Sequence, residues 1–257
     1  MSKVKEKLVS LIFFTLLLTW SFLLAPIGWL LYLLHKLTGA RIIRSWARFA
    51  GWVYGRSSLT LLRPFIRVIS VNPGEAVRKT PCVITANHQS ILDLYLLGFQ
   101  DMKQVCPITK SWPFRLLVPL TPVMRTAGYV EAEGRDLDQI TRECRERIEE
   151  RAALVFYPEG HRSRTGELGM FHVGAFRLAL DENLPIVPMV IKNSGARIRP
   201  GTFLIHPGVV EIEMLPAIMP SEYERFRKAP IPHRALLKHV RAMYEEKLSA
   251  YNAAHAR

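Results

Sequence analysis

The chain has 257 residues, enough for one α/β domain with a full core, and no internal repeat or Pro/Gly/Ser-rich linker calls for a second. Lys and Arg number 35 against 22 Asp and Glu, a formal +13 that suits partners carrying phosphate, either nucleic acid or an anionic lipid surface. The three cysteines, Cys82, Cys106 and Cys144, are far apart and form no CxxC pair, which argues against a disulfide framework and a zinc site and fits a reducing compartment.

Residues 8–34 contain no charged side chain, and as a helix they reach about 40 Å, beyond the roughly 30 Å of a bilayer core. A nucleic-acid binder has no use for such a run, so the expected partner is a phospholipid bilayer and not nucleic acid. The run is too long for a cleaved signal, and Pro26 follows Ala25 where a small-x-small cleavage site is wanted, so an uncleaved anchor is expected. Pro26 and Gly28 interrupt it, leaving open a straight span or a bent pair of helices dipping into one leaflet. Lys36, Arg41, Arg44 and Arg48 at one end outweigh Lys3, Lys5 and Lys7 at the other, which places the following domain on the cytoplasmic face of the inner membrane.

Residues 41–67 interleave Arg41, Arg44 and Arg48 with Ile42, Ile43, Trp46, Phe49, Trp52 and Tyr54 at helical spacing. The pattern fits a helix lying in the headgroup layer; an ordinary amphipathic helix packed on the domain is the alternative. The expected organisation is a membrane anchor with interfacial helices over 1–70 and an α/β domain over 71–257.

Beyond Pro73, apolar runs at residues 83–85, 153–156, 186–191 and 209–214 read as strands. Leu137, Ile140, Cys144 and Ile148 recur at helical spacing behind Asp136 and Asp138, residues 171–180 form a second helix stopped near Asn183, and residues 233–251 read as a solvated amphipathic helix. Strands alternating with helices predict a mixed, mostly parallel sheet flanked by helices, with its site at the strands' carboxyl ends.

Two turns fall at such ends. After the first strand, His88 and Asp93 make an H-x4-D pair, and Ser90-Ile91-Leu92-Asp93 matches a capping box that leaves His88 just outside a helix. Asp93 then either only caps that helix, or accepts a hydrogen bond from the imidazole and fixes its tautomer so that the other nitrogen takes a proton from a substrate hydroxyl. No G-x-S-x-G elbow is present, so the substrate supplies the nucleophilic oxygen. The second turn, Tyr157-Pro158-Glu159-Gly160-His161-Arg162-Ser163, offers glycine for close backbone approach and Arg162 for bidentate grip of a phosphate, with Arg164 and Lys110 adding charge. Glu159 either contacts substrate or orients Arg162.

These two turns resemble the NHxxxxD and FPEGTRS blocks of the glycerolphosphate and 1-acyl-sn-glycerol-3-phosphate (lysophosphatidate) acyltransferase family, in the same order and separation. Lys110 in Ile108-Thr109-Lys110-Ser111 is similar to the family's intervening lysine, and Leu184-Pro185-Ile186-Val187-Pro188-Met189 to its last strand. The likeness covers residues 81–216. It implies that His88 and Asp93 are the catalytic pair, that Glu159, Gly160 and Arg162 belong to the acceptor site, and that Lys110 and Arg162 bind the acceptor phosphate. It implies lysophosphatidic acid as acceptor, acyl-CoA or acyl carrier protein as donor substrate, and no cofactor or metal. The chain departs from the family pattern at His161, where threonine is usual, and at Arg135, which lies one position late after Gly128. Rival readings are a different lysolipid acceptor, a metal-dependent phosphoesterase using His88, Asp93, Glu159 and His161, and a non-catalytic lipid-binding module.

Overall fold

Two antiparallel helices, α1 (Lys3–Thr38) and α2 (Arg41–Leu62), open the chain in the computed structural model, which describes residues 3–255. They are joined by polar bonds set among apolar side chains: Trp20 Nε1 donates to Ser57 Oγ at 2.9 Å, and the Ser21 and Tyr54 hydroxyls meet at 2.8 Å. α1 passes through Pro26 without a break, so the bent pair of helices does not form. The proline removes one backbone bond, and docking on both sides of it holds the helix together. Its buried face packs Phe13 and Leu17 into the main core and Leu31 against Ile43, Ala47 and Ala127. Ser10 Oγ accepts the Ile205 N–H at 2.9 Å near one end, and Gly28 lies against Val123 towards the other. The opposite face, with Leu8, Leu11, Phe22, Trp29 and Leu33, is exposed.

A seven-stranded sheet follows. In chain order come β1 (Ile66–Val71), α3 (Glu75–Arg78), β2 (Val83–Ala86), α4 (Leu92–Leu96), β3 (Val105–Thr109), α5 (Trp112–Leu116), α6 (Thr121–Ala127) and β4 (Val130–Glu131). Then come α7 (Leu137–Glu149), β5 (Ala153–Phe156), α8 (Gly174–Asp181), β6 (Ile186–Lys192), α9 (Ser194–Arg197), β7 (Gly208–Met214), α10 (Glu224–Arg227) and α11 (Pro232–His255). The strand order is β1-β7-β6-β2-β5-β3-β4, parallel throughout except where β7 meets β6. The mixed, mostly parallel sheet predicted from the sequence is therefore the one found. β2 and β6 are buried along their whole length, as strands covered on both faces must be.

Strands β1, β3 and β4 were not predicted. Pro107 argues against β3 as an inner strand, yet β4 pairs only with Ile108 and Thr109, so no ladder bond is demanded of Pro107 on that side. β1 lies across the expected 70/71 boundary and pairs with β7, so the sheet begins inside the segment assigned to the anchor. The helix expected over 171–180 starts only at Gly174 and ends, as expected, before Asn183, whose φ is +52°. α11 is not simply solvated. Leu236, Val240 and Tyr244 are buried against α8 and the sheet, each aliphatic of this kind contributing about 1.5–3 kcal/mol, and the Tyr244 hydroxyl accepts the Met189 N–H and donates to Thr85 O.

The arginines of α2 also depart from expectation. Arg48 is 2% exposed; its Nε donates to Ala127 O at 2.9 Å and its guanidinium pairs with Glu150, just past α7. Arg44 and Arg147 reach the same carboxylate at 3.7 and 3.3 Å, and Arg41 pairs with Glu149 at 3.4 Å. The alternative, an amphipathic helix packed on the domain, describes α2 on this side. At Gly98, an added Cβ would lie 2.5 Å from the Arg56 N, so glycine is required where α2 crosses the segment after α4.

Glu150→Gln leaves Arg48 and Arg147 buried without their shared counter-ion and is expected to destabilise the protein by about 3–5 kcal/mol in denaturant unfolding. Glu149→Gln, whose partner Arg41 is exposed, should cost under about 1 kcal/mol in the same experiment.

Candidate active site

The parallel strands β2, β5 and β3 end side by side, and the segments that follow them carry His88, Asp93, Lys110, Glu159, Gly160 and Arg162. β2 is extended past Ala86 by Asn87, whose side-chain amide exchanges both bonds with the Ile191 backbone of β6, at 2.8 and 2.7 Å. The amide acts there as one more ladder pair. His88 therefore leaves the sheet from a fixed point.

Asp93 does both things considered for it. Its Oδ2 accepts from His88 Nδ1 at 2.8 Å and from the backbone N–H groups of Gln89 and Ser90 at 2.7 and 2.9 Å. The carboxylate thus closes the turn before α4 and anchors the imidazole. Ser90 Oγ donates to Ile198 O at 2.7 Å and accepts the Leu92 N–H, fastening the same turn to the α9 segment. Asp93 is fully buried while the His88 side chain keeps 13% of its surface; Nδ1 faces the carboxylate, and a neutral imidazole donating there carries its acceptor at Nε2.

The turn after β5 is bound to this one through the backbone. Glu159 Oε1 accepts the His88 N–H at 2.8 Å, Oε2 accepts the Gly169 N–H at 2.7 Å, and Ser163 N donates to His88 O at 2.7 Å. Burial pushes the Glu159 carboxyl above its ordinary range, and the two backbone donors pull against that shift. Both carboxylate oxygens accept backbone N–H groups, and the bonds described for Glu159 do not include one to Arg162. Glu159 is a clamp between two turns. Gly160, at φ +69°, lets the chain reverse, and a Cβ there would meet the His172 ring at 3.2 Å.

The cations follow in the segments after β3 and β5. Arg162 sets its guanidinium over the Trp112 ring at 5.6 Å, joining the turn after β5 to the segment after β3. Lys110, at the end of β3, is exposed beside Glu133, whose carboxyl is held below the ordinary range first by the Ser111 hydroxyl, with Lys110 and Arg115 adding to the effect. Among the described residues, none of Lys110, Arg162 and Arg164 has a carboxylate at ion-pair distance. Arg135 is bound by both Glu143 oxygens, at 2.5 and 3.1 Å, so the late arginine is occupied elsewhere.

A cavity of about 420 Å³ lies between the helical pair and the sheet. Ile27 and Leu31 of α1, Phe49 and Val53 of α2, and Ile91 and Leu94 just beyond His88 contribute to its wall, which contains no charged side chain. Among the described residues, no group of three or more His, Cys, Asp or Glu side chains is arranged to hold a metal ion. Two residues with direct bearing on the site had no role assigned from the sequence. Asn87 shows no local signal beyond its place before His88. Tyr157 stacks its ring on the imidazole, with centroids 4.3 Å apart.

Residues 67–192 match the family model described as Acyltransferase. The chain is 28% identical over 176 residues to a 1-acyl-sn-glycerol-3-phosphate acyltransferase of Saccharomyces cerevisiae, covering 66% of this chain and 58% of that one. It is 27% identical over 208 residues to one of Pseudomonas aeruginosa, covering 78% and 74%. A chloroplastic protein of the same name from Brassica napus is 32% identical over 117 residues, 45% of this chain and only 34% of the relative's length. The crystal structure of the 1-acyl-sn-glycerophosphate acyltransferase from Thermotoga maritima superposes with a TM-score of 0.75 at 19% identity, covering 97% of this chain and 98% of that one, and so shares the fold.

Burial raises all three cysteine thiols to about 12, so iodoacetamide at pH 8 should leave the folded protein unlabelled and modify it only after denaturation, as read by intact mass. For the clamp, Glu159→Gln replaces one acceptor oxygen with an NH2 group facing a backbone N–H. A loss of about 1–3 kcal/mol in urea unfolding is expected.

Proposed function

We propose that this chain, which matches the family model described as Acyltransferase and resembles curated 1-acyl-sn-glycerol-3-phosphate acyltransferases, acylates the sn-2 hydroxyl of lysophosphatidic acid, giving phosphatidic acid, with acyl-CoA or acyl carrier protein as donor. The observation that carries the reading is the His88–Asp93 bond, with Nδ1 tied down and Nε2 left for a substrate hydroxyl. His88 takes the hydroxyl proton as the oxygen attacks the thioester carbonyl. Collapse of the tetrahedral intermediate expels the thiol, which recovers the proton from the imidazolium, and Asp93 keeps the ring oriented throughout.

Lys110 and Arg162 hold the acceptor phosphate in this reading, supported by their place at the same sheet edge without internal carboxylate partners. The uncharged cavity beginning beside Ile91 suits a fatty acyl chain. α1 is long and apolar enough to cross a membrane, but one of its faces is docked on the domain from Ser10 to Leu31. We therefore assign it to one leaflet, exposed face in the lipid, with the catalytic domain on the cytoplasmic side.

The test pairs purified protein in mixed micelles with lysophosphatidic acid or lysophosphatidylcholine and with acyl-CoA or acyl carrier protein, products being read by mass spectrometry. Lysophosphatidic acid should be the better acceptor, since a headgroup removes one charge and one free oxygen from the phosphate. His88→Ala should lower turnover by about 10²–10⁴-fold in a folded protein. Lys110→Ala and Arg162→Ala should each lower kcat/KM for lysophosphatidic acid by roughly 10–150-fold and narrow the preference between acceptors. Equal losses on both acceptors would remove the two cations from the phosphate site, and near-normal turnover by His88→Ala would remove the mechanism.

A further inference from the structure

Tyr157 touches both members of the His88–Asp93 pair, through groups of different chemistry. Its ring lies on the imidazole with the planes 30° apart and the centroids separated by 4.3 Å. Its hydroxyl donates to the backbone carbonyl of Asp93 at 3.0 Å. The side chain also packs against the main core, and burial, with the Asp93 carboxylate as a smaller cause, pushes its phenol well above the usual range, so the hydroxyl stays a donor at working pH.

The bond from Nδ1 to Asp93 fixes one point of the imidazole and still leaves the ring free to tilt about it. A flat neighbour on one face removes that freedom, because tilting breaks the stack or drives the ring into it. The hydroxyl bond meanwhile ties the first turn of α4, which carries Asp93, to the end of β5. We propose that Tyr157 is a positioning residue that holds both groups of the pair at once, its ring setting the imidazole plane and its hydroxyl setting the segment that presents the carboxylate. The block resembled by residues 157–163 begins with phenylalanine, a residue that keeps the ring and lacks the hydroxyl that here bonds Asp93 O. The proposal rests on His88 being the base.

The two contributions separate by substitution. Tyr157→Phe keeps the ring and removes the hydroxyl, and should lower kcat about two- to fivefold with acceptor KM unchanged. Tyr157→Leu removes both and should lower kcat about 10- to 100-fold, again with KM unchanged, since a base displaced by a fraction of an ångström loses rate and not binding. A merely structural residue would show parallel losses of rate and thermal stability, with no rescue by phenylalanine at matched folded fraction.

An activity-independent readout uses ¹⁵N-histidine-labelled protein, with the His88 ring signals identified by their loss in His88→Ala. One sharp set of ring resonances is expected in the wild type and in Tyr157→Phe, broadened or multiple in Tyr157→Leu. Tyr157→Leu with wild-type kcat and an unchanged spectrum would overturn the proposal, as would a rise in KM at constant kcat, which would put Tyr157 in the acceptor site. If wild-type protein transfers no acyl group to any acceptor, the proposed reaction fails, while the spectra still decide whether Tyr157 fixes the ring.

Discussion

The carboxylate of Glu159 is the constraint on which the site depends, because it makes two strand-end turns into one object. Its oxygens accept the N–H groups of His88 and Gly169, and Ser163 closes the link from the other side by donating to His88 O. A buried carboxylate without donors would be costly, and here two backbone donors offset the desolvation that raises its pKa. The peptide of His88 is consequently held at both its N–H and its C=O by the turn after β5, while its side chain is held by Asp93 from α4. Position and orientation come from different elements, so a shift in either would misplace Nε2.

The same division of labour connects the helical pair to the domain. An apolar helix facing lipid needs no specific partner, but α1 and α2 also contribute Ile27, Leu31, Phe49 and Val53 to the wall of the cavity. A wall of fixed shape requires that the pair be bound to the domain, and the Arg48–Glu150–Arg147 cluster does this at one end. Burying those charges is tolerable only because each finds a partner, Arg48 with the Ala127 carbonyl as well. Ile42 and Leu61 of α2 stay exposed, while Trp46 and Phe49, also exposed, border the cavity.

Charge is distributed unevenly in a similar way. The formal +13 is not a uniform cationic coat, since Arg44, Arg48 and Arg147 converge on Glu150, and Lys192 lies between Glu211 and Glu213. Among the described residues, Lys110, Arg162 and Arg164 have no carboxylate at ion-pair distance, and they follow β3 and β5, the strands next to β2 and its His88 turn. Glu133 lies beside Lys110, and Ser111 holds it in place.

The amino-acid sequence alone determined the class of fold, the apolar N-terminal helix, four of the seven strands and the two turns that carry the site. These follow from short-range periodicity and turn chemistry, which a local stretch encodes by itself. It also contained both roles of Asp93, because capping and imidazole anchoring both use a carboxylate close in sequence to its donors. Only tertiary structure decided that Arg48 faces Glu150 and not headgroups, that Glu159 clamps the two turns, that Arg135 belongs to Glu143, and that Tyr157 lies on His88. Each of these is a contact between residues distant in sequence or a choice among several partners of equal chemistry. Residue type states what a side chain is able to bind, whereas sheet order and helix docking determine which partner comes within 3 Å of it.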